Sequence, residues 1–208
     1  MPLRHADVLE VDAVTGRRTG LAAGARRALR AMNLARIPYA VVGATALAVR
    51  GLPRMTRDID VVVLIEDAWT ALDALGRAGF RSLTPVSRGE EPEAMYVLRH
   101  GRGGVEVDLL VAAGEPESTV VAEAPRAKVF GVTAPVATLE HLLMMYLYSS
   151  QPRHLGDLAR VVTETNVDLE AVERNLADIH PKMLPVLRRR VGEARHPPPP
   201  PPRPKRRR

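Results

Sequence analysis

The segment Asp58-Ile59-Asp60 runs directly into Val61-Val62-Val63-Leu64-Ile65, a β-branched block of the kind that fills a buried strand. Side chains alternate between the faces of a strand, so both carboxylates leave one face while Ile59 enters the core. Two acids this close repel each other unless a cation lies between them, and hard oxygen ligands favour Mg²⁺ or Mn²⁺. Taken alone, the tripeptide also fits a turn or cap aspartate followed by a solvated one.

The flanking sequence supplies the rest of an α/β arrangement. Leu21, Ala25, Ala28, Leu29, Met32 and Ile37 recur at near-helical spacing, which predicts a helix over 21–37. A short apolar run at 39–42 ends at Gly43, and 44–50 has helix-forming composition until Gly51-Leu52-Pro53 stops it. Asp67 is placed to cap a helix over 68–78 that Gly79 closes. Strands are predicted at 94–99 and 105–111, with a hairpin turn at Gly101-Arg102-Gly103-Gly104, and one more at 128–132. Helices follow at 139–148, 155–163, 169–176 and 181–191, with Pro152, Asn166 and Pro181 at the breaks. Mixed strands with hairpins argue for an α+β fold. The expected organisation is an α/β core over 1–135, a helical subdomain over 136–196 and a disordered Pro/Arg-rich tail over 197–208.

Composition narrows the chemistry. The absence of cysteine removes disulfides, thiolate metal sites and Cys nucleophiles, and fits a reducing cytoplasm. The first twelve residues contain acids and no apolar run, so no signal sequence is expected there. No apolar stretch approaches the roughly 20 residues that span a bilayer, so no membrane partner is expected. The net charge of +6 is a property of the tail: nine of the 30 Lys and Arg lie from Arg188 onward with one of the 24 acids, leaving 21 bases against 23 acids before it. Arg203 and Lys205 to Arg208 suit a polyanion such as RNA, or simply a solubilising extension. Arg188 to Arg190 read as the solvated end of the last helix.

Three features accompany the acidic pair. Gly43 ends a strand and opens a short helix, where free backbone N–H groups suit a phosphate. Arg54 and Arg57 flank the pair and match triphosphate oxygens. Val105-Glu106-Val107-Asp108-Leu109-Leu110 brings a third carboxylate on a later strand; if that strand lies beside the first, Asp108 joins the same cluster. Each feature alone has an ordinary explanation, as a turn glycine, surface arginines or an edge-strand acid.

As a set, Val41-Val42-Gly43-Ala44, thirteen intervening residues, Asp58-Ile59-Asp60-Val61 and the later Asp108 resemble the polymerase-β-type nucleotidyltransferase superfamily. The run Gly51-Leu52-Pro53-Arg54-Met55-Thr56-Arg57-Asp58-Ile59-Asp60 is similar to the AbiEii-like branch, which includes toxin nucleotidyltransferases. The resemblance spans roughly 37–112. It implies a mixed-sheet nucleotidyltransferase core that moves an NMP from an NTP to an acceptor hydroxyl. Asp58, Asp60 and Asp108 would be the catalytic, metal-binding carboxylates for Mg²⁺ or Mn²⁺. Gly43, Ala44, Arg54, Thr56, Arg57 and Asp157 would bind the nucleotide. An RNA or protein acceptor and an antitoxin partner are implied by the toxin branch.

Two positions depart from the pattern. Ala44 stands where the family has Gly or Ser, and Tyr146 falls near a lysine of relatives in the run Glu140-His141-Leu142-Leu143-Met144-Met145-Tyr146. These departures also fit a catalytically degenerate nucleotide-binding or partner-binding relative. His154 reads as a surface histidine near a helix start, and Met144-Met145 as core.

Overall fold

The structure is a computed structural model and describes residues 20–101 and 104–197. The amino-terminal segment 1–19, part of the expected 101–104 turn and the tail from 198 lie outside the described residues.

Helix α1 (Leu21–Leu34) buries Leu21, Ala25, Ala28, Leu29 and Met32, one face at helical spacing. It ends three residues before the expected Ile37. Arg36 takes a left-handed φ of 55°, and Ile37 N–H donates to Met32 O, a closure that satisfies the last carbonyls. Pro38 disfavours helical geometry at Ile37, which explains the early stop.

Strands β1 (Tyr39–Val41), β2 (Asp58–Leu64), β3 (Phe80–Ser82), β4 (Met95–His100) and β5 (Glu106–Ala112) form one sheet in the order β1-β2-β5-β4-β3. β2 and β5 run parallel at its centre and the other neighbours pair antiparallel, giving the mixed sheet expected of an α+β fold. Ile59, Val61, Val62 and Val63 are buried, as a central strand requires. Between β1 and β2 lies α2 (Gly43–Val49). Helix α3 (Ala68–Arg77) closes where Gly79, at φ +89°, donates to Gly76 O. Asp67 does not cap it by its side chain: it sits in a 3-10 turn (Ile65–Asp67) that runs straight into the helix.

Two short elements, β3 and α4 (Glu117–Glu123), were not legible from periodicity. The strand expected at 128–132 is a hairpin, β6 (Arg126–Val129) and β7 (Val132–Pro135), turning through Phe130 and Gly131, both at positive φ.

Helices α5 (Leu139–Leu147), α6 (Pro152–Glu164), α7 (Leu169–Ile179) and α8 (Leu184–Arg195) complete the chain. Thr138 and His141 exchange capping hydrogen bonds at the start of α5. Pro152 is the first residue of α6, where its missing N–H has no cost, so this helix begins before the expected Leu155. Pro181 opens a 3-10 turn, and α8 starts only at Leu184. One apolar cluster joins Ile59, Val107 and Leu109 of the sheet to Leu142 of α5, Val161 of α6 and Leu176 of α7. Arg50, at the end of α2, ties that helix to the segment before α5, donating to Ala137 O at 2.9 Å and Val136 O at 2.6 Å. Among the described residues no helix is long and apolar enough to cross a membrane.

Gly24 marks where α1 meets the approach to β5. A Cβ there would lie 2.6 Å from Val105 Cβ. Gly24→Ala gains up to about 1 kcal/mol of helix propensity but overpacks this contact at a cost of about 1–3 kcal/mol. Its thermal midpoint is therefore expected to fall below wild type. A rise in Tm would show that propensity outweighs the contact.

Candidate active site

The parallel pairing of β2 and β5 places Asp60 opposite Asp108, with Asp58 two residues earlier on β2 and opposite Glu106. Asp58 and Asp60 line a cavity of about 270 Å³ between the sheet and helices α4, α5 and α6. Gly43 and Arg54 line it beside the aspartates; Leu142, Met145 and Tyr146 of α5 and Arg153 and His154 of α6 line it from the helical side.

Gly43 is where it is because of Asp60. Its φ is +60°, and a Cβ there would fall 2.0 Å from Asp60 Oδ2. Only a residue without a side chain lets the backbone approach this carboxylate. The same junction is held by Val42 N–H donating to Asp60 O at 3.0 Å and Ala137 N–H donating to Val41 O at 2.9 Å. The strand end, the acid and the start of α5 are thus fixed together.

The electrostatics are those of crowded carboxylates. Burial, then Asp58 and Asp108, push Asp60 up to about 7, against the pull of Arg153 and Arg54. Burial, then Asp58 and Glu106, push Asp108 up to about 6, opposed by Arg153. Glu106 is itself engaged by Arg99, whose Nε donates at 2.9 Å. Thr56 Oγ1 donates to Asp58 Oδ1. Asp108 Oδ1 is buried and has no hydrogen-bond partner among the described residues. Among the described residues no three His, Cys, Asp or Glu side chains close into a metal cage. Asp58 and Asp60 face the cavity, and Asp108 stands beside Asp60 on the neighbouring strand without lining it. An orphaned Oδ1 and mutual repulsion are the properties a hard divalent cation would relieve.

The other residues singled out from sequence are dispersed. Ala44 is buried behind the cavity wall. Asp157 is buried and holds Arg54 Nε at 2.8 Å, so it acts on that guanidinium rather than lining the cavity. Arg57 is exposed and does not line the cavity.

His154 is not a surface histidine. Its ring stacks on Tyr146 at 5.2 Å with a 30° interplanar angle, and its Nδ1 lies 2.7 Å from Ser149 Oγ. Met144 is core, but Met145 faces the cavity. Leu142, Met145 and Tyr146 follow the i, i+3, i+4 spacing, so the lining face of α5 was present in the sequence as a helical stripe.

No family model matches the chain, and neither does any curated protein. Solved structures do match. The solution structure of the antibiotic-resistance factor ANT(2'')-Ia aligns with a TM-score of 0.52 at 17% identity, covering 84% of this chain and 95% of that one. The crystal structure of ANT(2")-Ia in complex with adenylyl-2"-tobramycin aligns with a TM-score of 0.53 at 18% identity, covering 77% and 97%. The chain has a nucleotidyltransferase fold. Within that fold the cavity lies between the mixed sheet and the helices that follow it.

Asp60 and Asp108 both bind protons more tightly folded than unfolded, where a carboxylate titrates near 4. Their contribution to stability is complete below about pH 4 and is lost as pH rises through about 6 to 7. In chelator, the wild-type Tm is expected to fall by several degrees between about pH 5 and about pH 8 relative to Asp60→Asn. Parallel curves for the two proteins would contradict the assigned crowding.

Proposed function

We propose that this protein transfers a nucleoside monophosphate from an NTP to an acceptor hydroxyl, with Asp58, Asp60 and Asp108 as its catalytic carboxylates. The observation that carries the reading is the pairing of Asp60 with Asp108 across parallel strands, beside a glycine whose missing side chain admits Asp60. The nucleotidyltransferase fold supports it.

The three aspartates would hold Mg²⁺ or Mn²⁺. The cation, when bound, supplies positive charge to phosphoryl oxygens and to the attacking and leaving oxygens. Thr56 holds Asp58 in place by its hydrogen bond. Arg54, fixed by Asp157, neutralises the triphosphate, with the backbone of Gly43 and Ala44 beside it and Arg57 at the periphery. Asp108 receives the proton of the acceptor hydroxyl. That oxygen bonds to the α-phosphorus in line, the bond to the bridging oxygen breaks, and pyrophosphate leaves with the electron pair.

The acceptor falls into one of two classes. ANT(2")-Ia, whose complex contains adenylyl-2"-tobramycin, argues for a small hydroxyl compound. The AbiEii-like run over 51–60 argues for an RNA or protein hydroxyl, with an antitoxin as partner. A second reading, a nucleotide-binding relative without turnover, is favoured by Ala44 and by the buried Tyr146 in the cavity wall.

Incubation with α-phosphate-labelled NTPs and Mg²⁺ or Mn²⁺, offering RNA, lysate protein and small polyhydroxy compounds, separates these readings. Wild type is expected to label one acceptor class, and Asp60→Asn or Asp108→Asn to lose at least about a hundredfold in rate. Equal labelling by Asp60→Asn would overturn the catalytic assignment. NTP binding without labelling of any acceptor would favour the second reading.

A further inference from the structure

The helical wall of the cavity contains a polar group that nothing among the described residues satisfies. Tyr146 is 4% exposed, lines the cavity, and its hydroxyl has no hydrogen-bond partner among the described residues. A buried hydroxyl without a partner is destabilising and therefore uncommon. The ring is held in place: His154 stacks on it at 5.2 Å, and Ser149 Oγ fixes His154 from 2.7 Å. A braced aromatic ring with an unused hydroxyl is preorganised for a ligand atom.

The neighbours define that atom. Burial, then Asp157, raise the Tyr146 pKa above the ordinary phenol range, so the hydroxyl keeps its proton and acts as a donor. Arg54 and Arg153 are close enough to oppose that shift, and both line the same cavity. Arg54 is anchored by Asp157 at 2.8 Å. Arg153 uses Nε on Gln151 at 3.1 Å, and its terminal nitrogens have no partner among the described residues. A neutral donor set beside two guanidiniums suits an anionic oxygen. Asp58 and Asp60 keep such an oxygen from their own part of the cavity unless a cation intervenes.

We propose that the Tyr146 hydroxyl, braced by His154, donates to a β- or γ-phosphate oxygen of the bound NTP, with Arg54 and Arg153 supplying the charge, so that this wall selects triphosphate over monophosphate. The inference rests on the nucleotidyl-transfer reading. Tyr146 is then a binding residue for the leaving polyphosphate, and His154 a positioning residue that acts through it.

The test is calorimetric titration of the full chain, wild type beside Tyr146→Phe and Arg153→Gln, with NTP, the matching NMP and inorganic tripolyphosphate in Mg²⁺. Phenylalanine keeps the ring and its stacking. Tyr146→Phe is expected to bind NTP and tripolyphosphate about tenfold more weakly, with NMP affinity unchanged. Its Tm without ligand is expected to equal or exceed wild type, because an unsatisfied hydroxyl has been removed. Arg153→Gln is expected to weaken tripolyphosphate as well. Unchanged tripolyphosphate affinity in Tyr146→Phe, or an equal loss for NTP and NMP, would overturn the assignment; the latter would move the contact to the nucleoside. A lower Tm without ligand would make the hydroxyl structural. If wild type binds neither NTP nor tripolyphosphate, the nucleotidyl-transfer reading fails with it, whereas equal binding by the variant sinks the Tyr146 contact alone.

Discussion

The contact between the Gly43 backbone and the Asp60 carboxylate sets the geometry of the whole site. A side chain at residue 43 would come within 2.0 Å of Asp60 Oδ2, so the carboxylate sits where only glycine leaves room. The main-chain bond from Val42 N–H to Asp60 O locks the same two segments. From this junction, β2 carries Asp58 two residues away, and the parallel register to β5 delivers Asp108. Burial and mutual repulsion then raise the affinity of Asp60 and Asp108 for a positive partner, either a proton or a cation.

Contacts between segments far apart in sequence complete the cavity. Arg50 reaches Val136 and Ala137, which stand just before α5, and Arg54 reaches Asp157 on α6. The sheet side of the cavity presents Asp58 and Asp60 with Arg54 beside them, and the helical side presents Tyr146, Arg153 and His154 together with Glu117 of α4. The continuous apolar cluster holds the two sides in register.

Much of the sheet and the carboxylate set was legible because strand alternation is a local signal. Asp58, Ile59 and Asp60 alternate as the pattern demanded, and Val61 to Val63 are buried as a β-branched block should be. The reason for Gly43 was not legible: its close neighbour is seventeen positions on and is met only through the β1–β2 pairing. The pairing of Arg54 with Asp157 spans 103 positions, so no local pattern announces it. His154 looked like a surface residue because its stacking partner is on another helix. β3 and α4, at three and seven residues, are too short for a period to emerge. The hairpin of β6 and β7 was hidden because Phe130, a bulky residue at positive φ, gave no turn signal of its own.

The most direct test of the central claim is Mn²⁺ binding followed by electron paramagnetic resonance, at neutral pH with a non-hydrolysable NTP analogue. The carboxylate set as described should hold Mn²⁺ in wild type. Asp60→Asn, Asp108→Asn and Gly43→Ala, which displaces Asp60 by steric contact, should each weaken that binding by about tenfold or more. Equal Mn²⁺ affinity in all four proteins would mean that these aspartates do not form the cation site, and the account of the active site would fail with it.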